Sequence, residues 1–152
     1  MARYTTQIKT SMPRNEVFSD LIRFDRAASW DPGVISGVML TDEPVGPGSR
    51  FALEVGFLGR SIRLEYEIVD FAQDARVQLR AQNRFVRSTD TISFSSVASE
   101  PAPTATLVRY DAQLQLKGVA RIVTPLLAVA FRGIGDRAAA GLRARLTSGQ
   151  PV

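Results

Sequence analysis

Period-two alternation of apolar and polar residues runs through the middle of this chain and constrains its fold more than any other feature. Ile62, Leu64, Tyr66 and Ile68 share one face of an extended segment, with Arg63, Glu65 and Glu67 on the other. Successive strand side chains point to opposite faces, so such a segment reads as a strand with one dry side and one wet side. The same reading holds for Phe51, Leu53, Val55 and Phe57, for Val77, Leu79 and Ala81, for Ile92 and Phe94, and for Thr106, Val108, Tyr110, Ala112, Leu114 and Leu116. Weaker strands are expected at Tyr4 to Thr10 and Val34 to Asp42. Val45-Gly46-Pro47-Gly48, Gly59-Arg60 and the Ser99 to Thr104 stretch (SEPAPT) read as turns. Strands joined this tightly pair as antiparallel hairpins, and a sheet with one dry face must be covered.

Two helical segments flank the early part of that pattern. Val17, Phe18, Leu21, Ile22 and Phe24 recur at helical spacing after Pro13, with Ser11 as the expected cap. Asp25 to Trp30 reads as a short second helix or turn, stopped by Asp31-Pro32-Gly33. The cover for the sheet is expected at the C-terminus. There Ile122, Val123, Leu126, Leu127, Ala130, Phe131, Ile134, Ala138 and Leu142 recur at three- and four-residue steps over roughly 28 residues. Pro125 lies one to two turns inside this segment and should restart or kink it, while Gly118, Gly133 and Gly135 loosen it. With no internal repeat and no long linker, residues 1–148 read as one domain and 149–152 as a disordered tail.

Composition removes whole classes of chemistry. The 152 residues contain no Cys and no His. Disulfides, thiolate nucleophiles, His-based acid/base groups and the usual zinc sets are therefore unavailable, no carboxylate cluster signals a metal, and no cofactor is expected. The first residues carry no apolar signal core. The longest strongly apolar run, Ile122 to Phe131, is too short to span a bilayer, so a cytoplasmic protein is expected. The net charge of +4 falls entirely within residues 119–148, where Arg121, Arg132, Arg137, Arg143 and Arg145 face only Asp136. This reads as a solvated helix face, with transient membrane-surface contact left open. Nucleic acid is not expected, because no basic run is interleaved with aromatics. A homodimer is left open.

One strand, two short helices, about six antiparallel strands and a long helix form an order that resembles the START-like or Bet v 1-like (SRPBCC) superfamily, and within it the polyketide cyclase/dehydrase and lipid-transport group. The likeness rests on Val17-Phe18 and Leu21 after Pro13, on Trp30-Asp31-Pro32-Gly33-Val34, on Val45-Gly46-Pro47-Gly48-Ser49-Arg50-Phe51, and on Tyr110, Leu116-Lys117-Gly118 and Pro125-Leu126-Leu127. It implies an α+β helix-grip fold, a curved sheet of about seven strands around the C-terminal helix, with an apolar cavity between them. Members bind lipids, polyketides or other hydrophobic ligands, and some catalyse cyclisation or dehydration. No family-wide catalytic motif carries over, and the lack of His departs from cyclases that use one.

The candidate ligand-binding residues on that reading are Trp30, Phe51, Leu53, Phe57, Leu64, Tyr66, Asp90, Ile92, Tyr110, Leu126, Leu127, Phe131 and Ile134. Asp90 is the sharpest. It shares strand parity with Ile92 and Phe94 and should point inward, where burial would raise its pKa and fit it for acid/base work, alone or paired with an inward Arg87 after a bulge. Tyr66 and Tyr110 could orient a ligand carbonyl or donate a proton. Trp30 packs the core or walls a pocket mouth, and Asp31 caps its own turn. Three functions stay open: a carrier of a hydrophobic small molecule, a cyclase or dehydratase using Asp90 with Tyr66 or Tyr110, and a surface-binding module using the basic helix face.

Overall fold

In the computed structural model, residues 2–57, 59–98, 104–117 and 124–148 are described, without the side chains of residues 57, 124–129 and 148. The strands are β1 (Ala2–Thr10), β2 (Val34–Met39), β3 (Arg50–Phe57), β4 (Arg60–Ala72), β5 (Arg76–Gln82), β6 (Val86–Val97) and β7 (Ala105–Leu116). Helix α1 (Arg14–Leu21) and a 3₁₀ helix (Phe24–Ser29) follow β1, and helix α2 (Thr124–Ser148) closes the described chain. One antiparallel sheet runs β1-β7-β6-β5-β4-β3-β2. It curls around α2 as a half-barrel, the helix-grip arrangement. The expected SEPAPT turn (but for Thr104), Gly118, Ile122, Val123 and the 149–152 tail lie outside the described residues.

The alternation read from the sequence places the core. Leu64, Tyr66 and Ile68 of β4, Val77, Leu79 and Ala81 of β5, and Val108, Leu114 and Leu116 of β7 are buried on the concave face. A fully buried Leu, Ile or Phe gains about 1.5–3 kcal/mol over an exposed one. Helix α1 closes one end of that face: the Phe18 ring meets Phe71 and Phe94 edge-on, with centroids 5.4 and 5.2 Å apart. The 3₁₀ helix packs over β2 and β3, and its Phe24 ring meets Tyr66 edge-on at 5.0 Å. Asp20 of α1 pairs with Arg145 of α2 at 3.3 Å, and Thr10 Oγ1 donates to Leu146 O at 2.8 Å. The basic face of α2 is therefore partly used inside the molecule.

Helix α2 lies very close to the segment after the 3₁₀ helix. A Cβ on Gly141 would fall 1.8 Å from the Trp30 carbonyl oxygen, which no side chain tolerates. Gly135 likewise sits against the Tyr4 ring, where a Cβ would come within 2.4 Å. Of the glycines expected to loosen the helix, Gly135 thus admits a close neighbour, while the closest docking falls at Gly141, which the sequence reading did not single out.

Several local expectations are corrected. Pro13 is the residue preceding α1, and Ser11 is exposed and caps nothing there; Thr10 Oγ1 instead accepts the Met12 amide at 3.2 Å. Strand β2 stops at Met39, three residues before Asp42. The described part of α2 starts at Thr124. Pro125 is the second residue of that described part, and the turn expected before it, with Ile122 and Val123, lies outside the described residues. Beyond the alternation read to Ile68, a register shift in β4 between Ile68 and Asp70 brings Phe71, not Asp70, opposite the buried Val77.

Candidate functional site

The concave face and α2 do not meet everywhere. A cavity of about 150 Å³ remains between Leu53, Leu64 and Tyr66 of the sheet, Phe24 and Trp30 of the 3₁₀ segment, and Phe131, Ile134 and Ala138 of α2. An apolar cavity of this size accommodates a benzene ring. It lies on the far side of the core from Phe18 and Phe94, because α1 fills the other end.

Within this apolar wall four polar groups form one hydrogen-bonded chain. Tyr66 of β4 and Ser88 of β6 flank Ala81 of β5 in the same row of the sheet. The Ala81 methyl is small enough for the Tyr66 hydroxyl to cross above it and donate to Ser88 Oγ at 3.0 Å. Ser88 donates to Asp90 Oδ1 at 3.3 Å, and Tyr110 donates to Asp90 Oδ2 at 2.5 Å. Ala112 stands directly opposite Asp90 on β7, so no large side chain covers the carboxylate from that strand. The indole of Trp30 meets the Tyr110 ring edge-on at 5.7 Å.

Burial dominates the electrostatics of this chain. It pushes the Asp90 pKa up to about 6, against the opposing pull of the Tyr110 and Ser88 hydroxyls; Asp31 and Asp111 add to the rise. Burial, then the nearby Asp90 charge, pushes both tyrosines well above their usual range. They are hydrogen-bonding groups here, not proton sources. Asp31 is raised by burial too, while its Oδ1 accepts the Gly33 amide at 2.8 Å, the turn-capping bond expected of it.

With Asp90 ionised, every hydroxyl proton of the cluster is committed inside it. Tyr66 gives to Ser88, and Ser88 and Tyr110 give to Asp90. What remains facing the cavity is lone pairs. In this arrangement the tyrosine hydroxyls are engaged within the cluster.

Of the candidate residues, the cavity wall brings together Trp30, Leu53, Leu64, Tyr66, Asp90, Tyr110, Phe131 and Ile134. Phe51 and Ile92 are fully buried on the same face but pack in the solid core away from the cavity. The side chains of Phe57, Leu126 and Leu127 lie outside the described residues. Arg87 does not turn inward: β6 pairs without a bulge there, and the guanidinium donates to Gln82 Oε1 on the outer face at 3.2 and 3.3 Å. Sequence reasoning missed Ser88 and Val86, which share the parity of Asp90, and Tyr4 and Thr6 of β1, Phe24, and Asp31. Among the described residues no group of carboxylates is placed to hold a metal ion, and no helix is long and apolar enough to cross a membrane.

The family model for polyketide cyclase/dehydrase and lipid transport matches residues 1–147. The chain belongs to this family. No curated protein matches it. Among solved structures it is similar to a START superfamily protein from Mycobacterium smegmatis, at 16% identity and a TM-score of 0.76 over 96% of this chain and 97% of that one. It is also similar to the Zhui aromatase/cyclase from a Streptomyces species, at 15% identity and a TM-score of 0.66 over 95% of this chain and 90% of the other. A protein from Thermus thermophilus matches at 16% identity and a TM-score of 0.73, over 95% of this chain and 96% of that one. At these identities the structural likeness establishes the fold.

Proposed function

We propose that this family member binds a small, largely apolar molecule carrying a hydroxyl, phenol or enol that donates to the Asp90 cluster. The observation that carries this reading is the acceptor character of the Tyr66–Ser88–Asp90–Tyr110 chain at the wall of an otherwise apolar cavity. A few convergent polar groups in an apolar pocket set orientation, while burial supplies affinity. A one-ring guest burying roughly 200 Å² gains about 5 kcal/mol from burial, set against the entropy cost of association. The test is calorimetric titration at pH 7.5 with 4-propylphenol and with its methyl ether, which has the same body and no donor. The phenol is expected to bind about tenfold more tightly, and Asp90→Asn to erase most of that preference. Equal binding of the two compounds refutes the orienting role, and binding of neither refutes the ligand-carrier reading.

The cavity-borne carboxylate favours a second reading. With its pKa near 6, Asp90 is mainly ionised at neutral pH yet able to hold a proton, as a general base in a cyclisation or dehydration must. The substrate would be held folded by the cavity walls, a proximity effect, and Asp90 would take a proton from an enolisable carbon or a hydroxyl. The two tyrosines would orient Asp90 and transfer no proton themselves. Turnover of a polyketide-like substrate that persists in Asp90→Asn rules this reading out.

A further inference from the structure

Beside the cavity runs a surface groove formed by the start of β4, the turn around Pro32 and the outer flank of α2. Groove and cavity share Gly33, Gly56 and Ile134, so these three residues mark where the interior meets the surface. Gly33 and Gly56 carry no side chain, and Gly133 on the helix side adds a third bare position beside Ile134. This is the mouth of the cavity as the described residues define it.

The groove at the mouth carries two cations and no anion of its own. Arg60 opens β4, and strand parity puts it on the same face as Ile62 and Leu64, both of which line the cavity. It is thus an outward continuation of the dry face, ending in a guanidinium. Arg137 lies one turn beyond Ile134 on α2, with its guanidinium close to Gly133. Asp31 lies at the rim of the inner cavity; its carboxylate feels Arg137 and partly offsets that charge. Arg60 makes no ion pair among the described residues; Glu54 of β3 is engaged by the Ser61 hydroxyl beside it at 3.0 Å. Guanidinium groups recognise carboxylates through paired N–H donors.

We infer that the ligand is an amphiphile whose outer end is a carboxylate, held at the cavity mouth by Arg60 and Arg137. This rests on the ligand-binding reading above and extends it. The apolar body fills the cavity, a donor group at the inner end meets the Asp90 cluster, and the anion stays hydrated at the groove. Leaving the charge at a solvated mouth avoids the cost of burying it.

The probes are 4-hydroxyphenyl-alkanoates of three to six chain carbons, each compared with its primary amide by calorimetric titration at pH 7.5 and low salt. The carboxylate of the best-fitting length is expected to bind about fivefold more tightly than its amide. That ratio should fall toward one in Arg60→Gln/Arg137→Gln, and in the unaltered protein as salt is raised to about 0.5 M. Thermal melting of the double variant reports whether it folds, and the salt series reads the same charge without any variant. Amides that bind as well as the carboxylates, at every chain length and salt, overturn the inference while leaving the carrier reading intact. Failure of both series to bind overturns both.

Discussion

At the scale of single residues, Asp90 is a carboxylate held where water cannot reach it freely, with two hydroxyls donating to it to make its charge tolerable. Its raised pKa has a definite consequence for stability. The folded state keeps the Asp90 proton up to about pH 6, whereas an unfolded aspartate loses it near 3.9. Between those values the native state binds more protons, so this group's contribution falls as pH rises and levels off above about pH 6.5. Two units correspond to about 3 kcal/mol. Denaturant titrations of wild type and Asp90→Asn from pH 4 to 7.5 are therefore expected to show the variant gaining about 2–3 kcal/mol relative to wild type across that window. A constant difference would place the Asp90 pKa at its ordinary value. Ligand binding runs the opposite way: an inner donor prefers ionised Asp90, so affinity for 4-propylphenol is expected to rise between pH 5 and 7. Tyr110→Phe removes one donor from the carboxylate. Its cost is expected to be about 1–3 kcal/mol larger at pH 7.5, when Asp90 is charged, than at pH 4.5, readable in the same titrations.

At the scale of elements, the position of α2 decides how much room the cavity has. Gly141 lets the helix backbone touch the Trp30 carbonyl, and the obstacle there is main chain, which yields little. Gly141→Ala is expected to cost about 1–3 kcal/mol by forcing the helix off that contact, despite the better helix propensity of alanine. Ala140 is exposed on the neighbouring position, and Ala140→Ser serves as the control with a change within about 0.5 kcal/mol. Thermal or denaturant unfolding of the two variants separates overpacking from helix propensity. This close docking left no trace in the sequence: a lone glycine in a helix looks the same whether it loosens the helix or admits a neighbour. What the sequence did show was parity. Asp90, Tyr66 and Tyr110 were legible as inward because β4, β6 and β7 stay regular around them. Ser88 could have been found by the same count, since it is two residues from Asp90. Phe51 and Ile92 show the limit of that reasoning, because parity gives the face and not the distance along the strand at which packing gives way to space. That distance is set by α1 and Phe18, which fill one end, and it needs the folded chain.

At the scale of the whole molecule, a half-barrel closed by one helix leaves a hollow because seven strands curl around a single helical rod whose side chains reach only part of the way. The architecture and the order of its elements were legible from alternation and helical spacing. The chemistry of the hollow was not, since the acceptor character arises from four side chains on three strands and from the direction of each proton they share. The central claim is that an apolar guest occupies this interior and meets the Asp90 cluster. Its most direct test is a two-dimensional amide and indole NMR titration of the intact protein with 4-propylphenol at pH 7.5. Saturable shifts are predicted at the Trp30 indole and at the amides of Ser88, Asp90, Ala112 and Ile134, with the outer face of β5 unmoved. Shifts scattered over the surface, or none up to millimolar phenol, would contradict the account.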